Sequence, residues 1–170
     1  MSRQRLKAVF LDTSFLITLT DRGRDNHDVA VQYYSHWFEN GTKMFVSAIC
    51  YAEYLSKADC LPAYILNSVE VVPFNAEAAA VVGAFMRKRD KANVPAGVRD
   101  ALKDDVKILA SAVSYGVSAI AHCDGNSMSK FIAQSRELLP DASNLMSILM
   151  ADGFNLGTAE LGAPELPFKS

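Results

Sequence analysis

"VFLDTSFLI" (residues 9–17) is an apolar run broken once, by Asp12, and that break decides how the chain is read. With the residues before it, "KAVFLDT" (7–13) is β-branched and aromatic and bounded by charge, the pattern of a strand buried on both faces in a parallel sheet. In a parallel α/β sheet, sites form at the carboxyl ends of the strands. A carboxylate that ends such a strand therefore stands where chemistry is done. Its duller alternative is a turn residue that accepts from its own backbone.

Working outward, strand and helix patterns alternate. "KMFVSA" (43–48) and "VSAIAHCDG" (117–125) read as further strands, and "VEVVPF" (69–74) as extended chain or a strand fragment. Helical spacing predicts helices over "NHDVAVQYYSHWFENG" from an Asn26 cap to Gly41, over "ICYAEYLSKA", and over 75–91 from an Asn75 cap with Glu77 in the first turn. Another is predicted over 100–116, closed by Gly116. Past Ser129 the pattern stays helical to about Ala151, and the glycines and prolines of 153–170 predict an irregular tail. Strands alternating with helices imply an α/β three-layer sandwich, a mainly parallel central sheet flanked by helices.

Composition bounds the function. The 170 residues suit one domain, half are apolar, and a net charge of −2 gives no global basic field of the kind that marks nucleic-acid binders. No apolar run is long enough to span a bilayer and no leader with a cleavage site is legible, so a cytoplasmic protein is expected. Cys50, Cys60 and Cys123 are odd in number and lack C-x-x-C spacing, which argues against a disulfide framework or a zinc knuckle.

Four acids draw together on this reading. Asp12 ends the first strand and Asp124 the last. Glu53 lies in the helix after the second strand, and Asp105 falls on the helical face of Ile108, Leu109 and Ala112. Crowded carboxylates are unfavourable unless a cation compensates them. Oxygen ligands with no His or Cys favour Mg²⁺ or Mn²⁺ over zinc. Alternatives stay open: Glu53 as a solvated helix carboxylate, Asp104 in place of Asp105, or both as acids answering the helix dipole.

"VFLDTSFLI", "SAICYAEYL" and "DDVKILASAVSYGVSAIAHCDGNSMSKF" together resemble, in order and spacing from Ala8 to Phe131, the motifs of the PIN-domain ribonucleases. That family includes the toxins of bacterial type II toxin–antitoxin pairs. The resemblance implies a PIN-like domain over 1–152 with the tail at 153–170. It makes Asp12, Glu53, Asp105 and Asp124 the metal-binding and catalytic quartet, with Thr13, Ser14 and Asn126 as supporting groups. It also implies one or two divalent ions that activate water to cut RNA, an antitoxin partner and a homodimer. The Met-rich "SNLMSILMA" (143–151) could supply a dimer face or pack in the core. Two departures stand out: His122 replaces the usual Thr or Ser, and no short closing strand is legible after Phe131.

RNA binding needs positive charge, and it is local. Arg87, Lys88, Arg89, Arg99, Lys103 and Lys107 are the candidates, with a solvated helix end as the alternative. Competing classes lack their parts. A dehalogenase-like phosphatase needs an acid where Ser14 stands, a receiver-type phosphoacceptor needs adjacent acids at the first strand end, and no P-loop occurs. A PIN-like interaction module without catalysis is the remaining alternative.

Overall fold

The computed structural model describes residues 6–90 and 102–160, the side chains of residues 90, 102 and 103 excepted. Strand β1 (Ala8–Leu11) passes through a single residue, Asp12, into helix α1 (Thr13–Thr20). The break in the opening apolar run is thus a change of secondary structure. Helix α1 was not expected from the sequence, because Thr13, Ile17, Thr18 and Thr20 are β-branched and most of "TSFLITLT" is buried, which leaves no amphipathic stripe.

Helix α2 (His27–Glu39) follows. Its first-turn cap is a correction: Asn26 takes a left-handed backbone, φ +65°, and its side chain makes no capping bond. Gly41 ends the helix at φ +67°, where glycine bears no Cβ penalty. Strand β2 (Lys43–Ser47) runs directly into α3 (Ala48–Leu55), whose cap is Ser47 accepting from the Cys50 amide at 2.9 Å. After the short α4 (Ala63–Leu66) and strand β3 (Val69–Val72), α5 (Ala76–Asp90) starts on the expected Asn75 cap, Oδ1 accepting from Ala78 N at 2.8 Å.

Helix α6 (Leu102–Ser114) leads to β4 (Ala119–His122) and α7 (Met128–Leu138). The helix expected to continue to Ala151 instead stops at Leu138, and a fifth strand, β5 (Met146–Leu149), closes the sheet. The closing strand that the sequence did not reveal is present. Four residues rich in Met and Leu are too short to show a period of two, and both residue types favour helices. Within the segment expected to be irregular, Leu156–Glu160 form α8. The Ala159 carbonyl accepts from the Trp37 indole, and the Glu160 carbonyl from Leu6 N.

All strands are parallel, in the order β3-β2-β1-β4-β5, with helices on both sides of the sheet. This is the expected α/β architecture. Every residue of β4 is buried and β1 is buried from Val9 on, while the edge strands β3 and β5 are only partly covered. Phe10, Leu11, Phe15, Leu16, Trp37 and Ile120 are fully buried between the layers, at about 1.5–3 kcal/mol for each such aliphatic or Phe side chain. Leu145, Ile148 and Met150 of the Met-rich segment belong to this core. Among the described residues no helix is long and apolar enough to cross a membrane.

Candidate active site

The two central strands, β1 and β4, are neighbours with Leu11 opposite Ala121, and the Asp12 amide donates to the Ala121 carbonyl at 3.0 Å. Register alone therefore brings Asp12 and the residues after β4 to one edge. Asp12 caps α1: its Oδ2 accepts from the Ser14 amide at 3.0 Å and the Ser14 hydroxyl at 2.5 Å. Ser14 Oγ in turn accepts from Cys123 N at 2.9 Å, so one hydroxyl fastens Asp12 to the end of β4.

Asp124 is held from the chain that follows it. Its Oδ1 accepts from the amides of Asn126 (2.8 Å) and Ser127 (2.9 Å). The Ser127 hydroxyl lies 2.6 Å from Asp124 Oδ2 and 2.8 Å from Asp105 Oδ2; with a single proton it donates to one carboxylate at a time. Glu53 accepts from the Thr13 hydroxyl. Each acid is therefore reached by a hydroxyl, and Ser127 is a member of the site that sequence reading missed. The only trace was a hydroxyl three residues after Asp124, indistinguishable from an ordinary turn residue.

These four acids line one cleft of about 630 Å³, together with Thr13, Ser14 and Asn126. Asp105 faces it, half-buried. Asp104 is exposed, pairs with Lys107 at 2.9 Å and does not line the cleft, so of the two acids Asp105 is the one placed there. The described members of the basic cluster do not line the cleft. Arg87 and Lys88 are exposed outside the cleft, and Lys88 Nζ donates to the Leu138 carbonyl at 2.6 Å. Arg89 is a correction: it is only 7% exposed, with its guanidinium 5.1 Å from the Phe131 ring centre, so packing rather than phosphate contact occupies it. Arg99 and the Lys103 side chain lie outside the described residues. Among the described residues, the cations that do line the cleft are Arg24 and Lys57, which no sequence pattern singled out.

The electrostatics of the acids differ. Burial pushes the Asp12 carboxyl up to about 6; the Ser14 donors oppose this and the Asp105 charge adds to it. Burial also raises Asp105, with Ser127 opposing and the charges of Asp124, Glu53 and Asp104 reinforcing. At Asp124 partial burial pulls upward, but the Ser127 hydroxyl and the Ser127 and Asn126 amides outweigh it and hold the group below the usual carboxylate range. His122 is fully buried, driven down to about 4 by desolvation and therefore neutral at physiological pH; its Nε2 pairs with Ser147 Oγ at 2.7 Å, tying β4 to β5. It does not line the cleft. Among the described residues, no three His, Cys, Asp or Glu side chains are gathered into a ready-made ion cage. The four acids at the cleft nevertheless fit a hard divalent ion: they offer carboxylate oxygens flanked by hydroxyls, the one lining thiol, Cys123, donates to the Thr18 hydroxyl at 3.2 Å, and among the described residues neither Asp12 nor Asp105 has a Lys or Arg ion pair.

A parallel α/β sheet with an acidic cleft at the carboxyl ends of its central strands defines the class. The chain belongs to the PIN-domain family, whose model matches residues 9–131, well over half of its length. Its fold is similar to that of Mycobacterium tuberculosis VapC20, a Sarcin-Ricin loop cleaving toxin, with a TM-score of 0.51 and 17% identity over 72% of this chain and 93% of that one. It is similar as well to a chain of VapBC2 from Rickettsia felis bound to a DNA fragment from their promoter (TM-score 0.55, 14% identity, 82% and 96% covered). A third likeness is to a chain of VapBC-1 from nontypeable Haemophilus influenzae (0.56, 18%, 85% and 98%). No curated protein matches the sequence.

Proposed function

We propose that this chain is a divalent-metal-dependent endoribonuclease and the toxin of a toxin–antitoxin pair. The observation that carries the reading is that four carboxylates from four separate segments, Asp12, Glu53, Asp105 and Asp124, line one cleft. Like charges are brought together there at a cost that a bound cation would offset. Family membership and the fold likeness to a cleaving toxin and to VapBC assemblies support the same reading.

Asp12, Glu53, Asp105 and Asp124 would hold Mg²⁺ or Mn²⁺. Such an ion supplies Lewis acidity, lowering the pKa of water and neutralising charge that develops on a phosphodiester. The chain's own groups do the positioning. Ser14 fixes the Asp12 carboxylate against β4, Thr13 orients Glu53, and Ser127 with the Asn126 amide holds Asp124 as an ionised acceptor. Ile17 and Met128 give the cleft an apolar wall beside the acids.

The test is cleavage of a labelled RNA with Mn²⁺ or Mg²⁺ and with EDTA, by the wild type and by Asp12→Asn and Asp105→Asn, each checked for fold by circular dichroism. Metal-dependent cleavage lost in both folded variants supports the mechanism. Cleavage that survives both substitutions, or that ignores EDTA, sinks it. Saturable Mn²⁺ binding by calorimetry, absent from Asp12→Asn, is the independent readout. The toxin role adds growth arrest on expression that Asp12→Asn abolishes.

A further inference from the structure

An acidic cleft repels the polyanion it is proposed to cut, so a nuclease needs positive charge close beside its carboxylates. The described basic side chains of α5 and α6 are poorly placed for this. Lys88 is tied to Leu138, Arg89 is buried on Phe131, Lys107 pairs with Asp104, and none of these nor Arg87 lines the cleft. Two cations among the described residues do line it. Arg24 lies in the segment between α1 and α2, and Lys57 in the turn just beyond α3, four residues after Glu53.

We propose that Arg24 and Lys57 grip the phosphate backbone of single-stranded RNA across the acid cleft, an inference that rests on the ribonuclease reading above. Both side chains are long and exposed. The ion pair that Arg24 makes with Asp21, at 3.7 Å, is more than half exposed on both sides and so worth little, and a phosphate can replace it. Lys57 has no ion pair among the described residues. The Lys57 amide continues the last turn of α3 by donating to the Tyr54 carbonyl at 2.9 Å. The two cations thus enter the cleft from separate segments, one ahead of α2 and one a turn beyond Glu53. Phosphate-binding groups of this kind fix a strand's position without reading its bases.

The experiment compares wild type, Arg24→Gln/Lys57→Gln and the charge-matched control Lys130→Gln/Arg136→Gln, on exposed positions of α7. Mn²⁺-dependent cleavage of a single-stranded RNA oligonucleotide is followed at several salt concentrations. The expected result is a KM raised about tenfold in the cleft variant with kcat within about twofold of wild type. Its salt slope should fall by about 1.4, which is about 0.7 for each of the two phosphates no longer neutralised. The control stays at the wild-type values, and Arg24→Lys/Lys57→Arg restores most of the affinity. An unchanged KM and slope in the cleft variant, beside a wild type that cleaves, overturns this inference and leaves the ribonuclease reading standing. So does a KM that rises instead in Arg87→Gln/Lys88→Gln. A wild type that neither binds nor cleaves RNA overturns the ribonuclease reading, and this inference with it.

Discussion

Asp12 and Asp124 are the same residue type, at the carboxyl ends of adjacent parallel strands, in one cleft, and their proton affinities move in opposite directions. Asp12 is 5% exposed and raised to about 6, chiefly by burial; Asp124 is partly open and held low by three donors from Asn126 and Ser127. Sheet position therefore sets where a carboxylate stands, and the chain that follows sets its proton affinity. After Asp12 comes a buried helix that shuts out water. After Asp124 comes a turn, Gly125 to Ser127, that supplies amides and a hydroxyl. At neutral pH both are predominantly ionised, but Asp12 gives up its proton only near pH 6 and Asp124 does so below the usual carboxylate range.

The largest way to break this pairing is to remove the buried carboxylate. Asp12→Asn keeps an oxygen that can accept from the Ser14 amide, so the fold should persist, while RNA cleavage falls by about 10³-fold, the upper end of what one electrostatic group contributes. Rates measured on the folded variant check it; a loss smaller than tenfold would mean that Asp12 is a cap and little more.

The next effect is on stability in metal-free protein. The folded pKa of Asp12 lies above its ordinary value of 3.8, so the folded state binds the proton more tightly than the unfolded. The resulting stabilisation is full below about pH 4 and is lost as pH rises through about 6, to the extent of about 3 kcal/mol. Asp105 is shifted in the same direction, and Asp124 opposes: its contribution is present above the ordinary carboxylate pKa and disappears as pH falls through its lowered value. Urea unfolding in EDTA from pH 4 to 8 should show wild type losing stability over this window and Asp12→Asn losing much less. Identical curves would mean that Asp12 is better solvated than its burial implies.

What the sequence made legible divides along the same line. β1, β2 and β4 carried enough apolar, β-branched and aromatic residues to declare themselves, and with them the strand-end acids Asp12 and Asp124. The quartet came into view because motif order survives even when each motif is weak. Helix α1 stayed hidden because Thr and Ile prefer strands in isolation and tertiary burial overrode them. β5 stayed hidden because four residues cannot display a period. The cations that line the cleft escaped notice for a different reason: a run such as "RKRDK" advertises charge but not direction, and Arg89 turns inward onto Phe131 while the solitary Arg24 and Lys57 reach the cleft. Clustering along a chain is a poor guide to clustering in space.

Ser127→Ala sharpens the comparison from the other side. It removes the hydroxyl from both Asp124 Oδ2 and Asp105 Oδ2 and leaves the two amide donors to Asp124 in place. The expected result is Mn²⁺ affinity weakened about tenfold, the scale of losing a group that orients a ligand. Calorimetry decides it, and Ser127→Thr should recover the loss. Unchanged affinity would show that the amides alone position Asp124.

Ser14→Ala gives the smallest effect and the most local one. The hydroxyl donates to Asp12 and accepts from the Cys123 amide, so its loss leaves one backbone donor without its partner and strips Asp12 of one of two donors from that residue, at a cost of about 1 kcal/mol. Removing a donor favours the protonated form, so Asp12 should titrate higher than in wild type while Asp124 does not move. Carboxyl carbon chemical shifts followed against pH distinguish the two groups directly. If both acids shift together, they titrate as one coupled unit, and the division of the site into a late-ionising and an early-ionising carboxyl is wrong. If Asp12 moves alone, the opposite behaviour of two aspartates on neighbouring strands is set by the two or three residues that follow each of them.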